Sequence, residues 1–227
     1  MMRSLKNNTL RITGATIFAF AALAILPSLQ APAWGAAPAG LFGYWTFDDG
    51  TATDSAGDNH GTVFGATPVP GMVDGAMSFG GGDYIQLPEA PVFGSSDFTV
   101  TVWARDDQSA TGVEGVFSSL MGPPWKQAFV YINSQFYTLL PNSAACVSGA
   151  FVRTDWNYIV LRRTGDTFQW FVNGAPSGGA CSCAGVWNAA NPEYGMRLGS
   201  TRNNYMFEDL TGVLDELAFF DRALSDS

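Results

Sequence analysis

The 227-residue chain predicts an all-β sandwich, and three observations carry that expectation. Short apolar runs are broken by Gly, Pro, Asn and Asp at intervals too brief for helices. Two segments, Asp97 to Ala104 and Thr167 to Val172, alternate with the two-residue period of a half-buried strand. Beyond the first 35 residues no amphipathic helical stretch of useful length occurs. Composition agrees: with 26 Gly, 14% aromatic and only 14% charged residues, the chain has many turns and a large apolar interior.

The elements follow in order. Arg3, Lys6 and Arg11 precede an apolar run from Ile12 to Leu26, followed by small residues such as Ala31 and Ala33. That is the layout of a secretory signal peptide over residues 1–35, with cleavage between Ala33 and Ala37. The run is short for a membrane span, which needs about 20 apolar residues, so no membrane insertion is expected after cleavage. Residues 36–227 read as one domain without internal repeat or linker. Gly75 to Phe79 and Tyr84 to Leu87 are strands joined through Gly80-Gly-Gly-Asp83. In Asp97 to Ala104, Phe98, Val100 and Val102 share one face, and Thr99, Thr101 and Trp103 the other. Trp156 to Arg163 and Thr167 to Val172 are strands joined at Thr164-Gly-Asp166. Asn173-Gly174 then supplies the two positive-φ centres of a type I′ hairpin turn. Tyr194 to Gly199 and Gly212 to Phe220 complete the set.

Seven short segments, in this order, carry a resemblance. They are Tyr44-Trp-Thr-Phe-Asp48, Asp54-Ser-Ala-Gly57 running to Gly61, Gly71 to Phe79, Asp97 to Trp103, Trp156 to Leu161, Phe171-Val-Asn-Gly174 and Gly212 to Phe220. Together they resemble the LamG-like jelly-roll family of the concanavalin A-like lectin/glucanase group, over roughly Leu41 to Asp226. The resemblance implies a two-sheet antiparallel jelly roll, in a non-catalytic module that binds glycans or partner proteins outside the cell, often with calcium. Asp221 to Ser227 is similar to the stretch where that family's last strand passes into a helix start. Ser225 would make an N-cap there, yet no helix follows, so the domain either stops after its last strand or is cut short.

Charge narrows the partners. Without the leader, 8 basic residues face 20 acidic ones, a net charge near −12. Such a surface repels nucleic-acid phosphates and anionic lipid, leaving a glycan or a cell-surface protein as the expected partner.

Catalysis is disfavoured. Glycosidases of this fold place two carboxylates on the same side of a strand, whereas the acidic pairs here are adjacent: Asp48-Asp49, Asp106-Asp107, Glu208-Asp209 and Asp215-Glu216. His60 sits in a polar, Gly-flanked loop, and no nucleophile elbow or phosphate-binding Gly loop is present. A polysaccharide-active hydrolase or lyase is thus the alternative reading, and a structural surface protein without a small ligand the third.

Calcium is the stronger chemical expectation, because it takes six to eight oxygen ligands from carboxylates and carbonyls. The resemblance implies that the first and last strands meet and hold a structural ion, with Asp48, Asp54 and Asp215 as ligands. Against this stands an Asx turn at Asp54 and hydrogen bonding to the amino-terminal segment at Asp215.

Three cysteines in an exported chain are expected to pair. The meander brings the segments before Trp156 and after Gly174 together, so Cys146 bonds Cys181 or Cys183. For sugar binding, loop aromatics that can stack on pyranose faces are the useful groups. Trp125 in Gly-Pro-Pro-Trp-Lys126, Trp187, Arg202 and Tyr205 lie in such loops. Trp45, Trp103, Trp156 and Trp170 read as structural.

Overall fold

The computed structural model describes residues 38–88, 96–107, 113–118, 128–132, 134–140, 144–185, 195–200 and 209–225. Among them strands alternate with turns and no helix occurs. The first five strands are β1 (Leu41–Trp45), β2 (Thr62–Phe64), β3 (Thr67–Pro70), β4 (Gly75–Gly80) and β5 (Tyr84–Leu87). The middle of the chain supplies β6 (Phe98–Asp106), β7 (Val113–Ser118), β8 (Ala128–Ile132), β9 (Gln135–Leu139) and β10 (Ala145–Val147). The remainder forms β11 (Asn157–Thr164), β12 (Thr167–Val172), β13 (Ala175–Ser182), β14 (Met196–Leu198) and β15 (Thr211–Phe220).

They build the two antiparallel sheets of a jelly roll. One sheet has the order β13-β12-β11-β6-β15-β4-β3, with β1 also pairing β15. The other has the order β10-β9-β8-β7-β14-β5-β2. The run Asn173-Gly174 turns β12 into β13 with φ of 52° and 82°, the positive values a type I′ turn requires. The Gly-rich connection after β4 behaves differently from a hairpin. Gly81 and Gly82 adopt φ of 77° and 90°, and β4 and β5 end in opposite sheets. There the chain crosses the sandwich.

Alternation decides which side chains meet between the sheets. Phe98, Val100 and Val102 of β6 are fully buried, as the period-two pattern requires. Phe117 of β7 meets Phe219 of β15 edge to face at 5.4 Å, and Phe136 of β9 stacks with Trp170 of β12 at 5.7 Å. Each such ring stabilises the fold by about 1.5–3 kcal/mol through burial. Trp45 and Trp170 are core residues with no exposure. Trp103 and Trp156, by contrast, are half-exposed.

Two further links tie the sheets. Cys146 of β10 is bonded to Cys181 of β13 across 35 residues, joining the terminal strand of one sheet to that of the other. Cys183 is a free, buried thiol, so Cys181 is the partner of Cys146. Elsewhere Arg153 forms ion pairs with Asp106 at the end of β6 and with Glu114 of β7, the latter at 2.9 Å. All three are nearly excluded from solvent.

Candidate functional site at the seam of the first and last strands

β15 is the structural centre of its sheet, pairing with β6 on one side and with β4 and β1 on the other. Its register to β6 shifts between Asp215 and Ala218. Glu216 carries φ of 54°, so the ladder bulges here, and such a residue lets two successive side chains depart from strict alternation. The adjacent pair Asp215-Glu216 therefore does not behave as a simple up-down pair. Burial raises each of its carboxyls, and other negative charges at the seam add to that shift.

Asp215 is fully buried. Its Oδ2 accepts the backbone N–H groups of Met72 and Val73, each at 2.9 Å. Its Oδ1 has no hydrogen-bond partner. Asp48, just past β1, accepts the N–H of Gly75 at 3.0 Å. The two carboxylates thus grip opposite ends of one turn, Gly71 to Gly75. That turn closes on itself through Gly71 N–H to Asp74 O at 2.9 Å. Tyr44 of β1 donates its hydroxyl to Glu216.

The electrostatics follow from burial plus like charge. Burial pushes the Asp215 carboxyl up to about 6. The N–H of Val73 opposes that shift, while Glu216 and Asp48 add to it. Glu216 is raised for the same first reason, with Asp48 and Asp74 contributing. Tyr44 is also raised, by burial and then by its bond to Glu216. A buried carboxylate oxygen without a donor, ringed by other anions, is a costly arrangement.

Asp54 stands apart from this seam. Its Oδ1 accepts the N–H groups of Tyr44 and Ala56, each at 2.9 Å. Its Oδ2 accepts that of Asn59 at 3.2 Å. The N–H of Asp54 itself donates to Nδ1 of His60 at 3.0 Å. Asp54 is an Asx-type organiser of the 54–60 loop, and the structure joins only Asp48 and Asp215 of the three expected ligands. Among the described residues no three His, Cys, Asp or Glu side chains stand together closely enough to form a ligand cage. The seam offers a single orphan oxygen and an excess of negative charge. One hard cation fits that chemistry if carbonyl oxygens and water complete its shell. That Glu216, Tyr44 and Asp74 gather at this seam was not legible in the sequence, because a bulge and a turn place them there.

Trp125, Trp187, Arg202 and Tyr205 lie outside the described residues. Their flanking strands are described: Ser118, which precedes the Trp125 segment, pairs with Arg197 of β14. On the outer surface of this sheet, Phe64 of β2 stacks on Tyr84 of β5 at 4.7 Å. Arg197 lies over the Tyr84 ring at 3.8 Å. This aromatic–guanidinium ladder crosses three strands.

A laminin G-type family model, described as the concanavalin A-like lectin/glucanases superfamily, matches residues 79–227. The chain belongs to that superfamily. Solved structures with the same fold include domain 4 of AbnA, a GH43 extracellular arabinanase from Geobacillus stearothermophilus, in complex with arabinotriose. It is 19% identical with a TM-score of 0.67, over 83% of this chain and 95% of that one. A Trypanosoma rangeli sialidase in complex with a difluorosialic acid is 20% identical, with a TM-score of 0.63, over 82% of this chain and 32% of its own. The binding domain of Paraclostridial Mosquitocidal Protein 1 follows at 13% identity and a TM-score of 0.58, covering 79% and 51% of the two chains. This chain therefore spans about a third of the sialidase but nearly all of the arabinanase domain. Comparison with curated proteins gives no match.

Proposed function

We propose that the chain is an exported, non-catalytic carbohydrate-binding module. The observation that carries this reading is its correspondence, over 95% of that domain, to one separate domain of an extracellular arabinanase held with arabinotriose. Fold alone does not assign a function, so chemistry must support the choice. The disulfide between Cys146 and Cys181 suits an oxidising compartment. No helix of the described residues is long and apolar enough to cross a membrane.

A glycosidase is the second reading, since arabinanase and sialidase chains are among the similar structures. The carboxylates Asp106 and Glu114 do come together from separate strands, but both are buried against Arg153. A general acid must reach the glycosidic oxygen, and these two face an arginine inside the sandwich. That burial favours the binding module.

A structural Ca²⁺ belongs to this proposal. Asp215 and Asp48 would hold it, with Glu216 beside them, and Asp54 would not take part. Its role would be to neutralise the seam and fasten the Gly71–Gly75 turn to the last strand. The rim residues Trp125, Trp187, Arg202 and Tyr205 would contact glycan.

A glycan array run with calcium and with EDTA, joined to a reducing-end assay, tests the reading. Binding without hydrolysis is the expected result. Release of reducing ends that is lost on changing one Asp or Glu would establish the enzyme instead.

A further inference from the structure

Met72 and Val73 are apolar, yet they stand 48% and 45% exposed in the Gly71–Gly75 turn. The turn is held firmly where it is. Both of their N–H groups donate to Asp215 Oδ2 at 2.9 Å, and the Gly75 N–H donates to Asp48. The fold therefore fixes two aliphatic side chains in water, which the hydrophobic effect opposes in the free protein.

Their neighbours on the sheet are aromatic. Asp215 pairs with Trp103 of β6, and Trp103 with Tyr158 of β11. Directly paired residues project from the same face of a sheet. Val102 and Ala104 are fully buried in the sandwich, so Trp103 between them faces outward. The Trp103 and Tyr158 rings lie 5.1 Å apart. One row further along, the Arg105 guanidinium lies over the Trp156 ring at 5.2 Å. All three aromatic residues are half-exposed. One surface thus runs from the Gly71–Gly75 turn, past Asp215 and across β6, to β11.

Its chemistry separates the possible occupants. A sugar site needs convergent polar groups, and those beside these rings are already engaged. Asn173 accepts the Tyr158 N–H at 2.8 Å and donates its own amide to Asn157 at 3.1 Å. Arg105 Nε donates to Asp107 at 2.9 Å. Met72 and Val73 offer nothing to a sugar hydroxyl. Trp, Tyr, Met and Arg are the residues enriched at protein interfaces, and Met moulds itself to an irregular apolar partner.

The rim supplies the charge. Asp74 belongs to the turn itself, and Asp48 and Glu216 lie beside it at the seam. Asp107 and Asp155 are exposed near Arg105 and Trp156. Among the described residues of this surface Arg105 is the single cation, and Asp107 pairs it. A second copy would set acidic rim against acidic rim, which opposes self-association. A polypeptide with an apolar centre and Lys or Arg around it complements both features.

We propose that this surface docks a different protein, through a segment that is apolar at its centre and cationic at its edges. Met72, Val73, Trp103 and Tyr158 receive the apolar side chains, and Asp74, Glu216 and Asp107 face the cations. This adds a protein contact to the glycan-binding reading and does not depend on it.

The test uses a synthetic twelve-residue peptide that alternates Lys with Leu and Trp. One control peptide carries Glu for Lys, and the other Ser for Leu and Trp. In titration calorimetry with the purified protein, the Lys-Leu/Trp peptide alone binds, more weakly as salt rises. Met72→Ser combined with Val73→Ser lowers that affinity about tenfold, as does Trp103→Ala in a separate variant. Asp74→Asn lowers it about threefold, and Phe64→Ser on the other sheet leaves it unchanged. Thermal melts confirm that each variant folds, and the Met72 methyl resonance of wild-type protein shifts on adding the peptide. Failure of the peptide to bind, equal binding of the Glu control, or undiminished affinity in the folded Met72/Val73 variant overturns the proposal. An unmoved Met72 methyl signal does the same. So does glycan-array binding that is lost in folded Trp103→Ala, because it assigns this face to sugar and leaves the glycan-binding reading standing.

Discussion

Asp215 concentrates the unusual chemistry of this protein in one residue. It is buried, raised to about 6, and has one oxygen satisfied twice and the other not at all. Its folded value lies above the ordinary 3.8, so the folded state holds the proton more tightly than the unfolded chain does. Stability from this group is therefore full below about pH 4 and declines as pH rises towards 6, where the penalty levels off. In chelator, Asp215→Asn keeps an acceptor for Met72 and Val73 and removes the charge. The variant is expected to gain on the order of 1–3 kcal/mol over wild type at pH 7, and the difference should vanish near pH 4. Denaturant melts of both proteins across that range measure it. A second residue tests the same turn by shape. A Cβ on Gly75 would stand 2.7 Å from Asp48 Cα and 3.0 Å from Phe47 O, both backbone. Gly75→Ala is expected to cost about 1–3 kcal/mol through that overlap, seen as a lower midpoint at unchanged denaturant slope.

At the scale of elements, the terminal strands matter most. β10 and β13 close one side of the sandwich, and the bond between Cys146 and Cys181 spans them. Closing 35 residues should contribute roughly 3 kcal/mol. Cys181→Ser is expected to lower stability by about that amount, while Cys183→Ser has a small effect because its thiol is unpaired. Alkylation of the oxidised protein under denaturing conditions should label one cysteine, and peptide mapping should place the label on Cys183. The sequence left Cys181 and Cys183 as equal choices, since they sit two residues apart. Register resolves it: Cys181 pairs with Phe168 within β12–β13, and the Cys146 sulfur lies 4.0 Å from the carbonyl oxygen of the same Phe168.

For the whole molecule, the seam predicts a response to calcium. A cation that binds the folded state alone raises stability by about 2.7 kcal/mol at a hundredfold excess over its dissociation constant. Melting in calcium should exceed melting in EDTA at pH 7, and Asp215→Asn should erase the difference. Superimposable wild-type curves would mean that the donated N–H groups of Met72 and Val73 suffice.

Local pattern alone determined much of this protein. Period-two alternation identified β6 and β12, because a buried face imposes that spacing on whatever residues fill it. Asn173-Gly174 named its own turn, because few residue pairs accept positive φ twice. The ordered segments from Tyr44 to Phe220 identified the superfamily. Long-range geometry decided the rest. Which sheet β5 joins, which cysteine pairs, and whether Asp54 meets Asp215 depend on contacts between residues far apart in the chain. The adjacency of Asp215 and Glu216 argued for opposite faces until a bulge intervened. Trp103, whose strand setting reads as structural, lies half-exposed beside Tyr158, because alternation separates two faces without saying which one water covers. The residues after Phe220 fold back across that face, bonding to Thr99 and Arg162, and no spacing within β6 or β11 encodes that return.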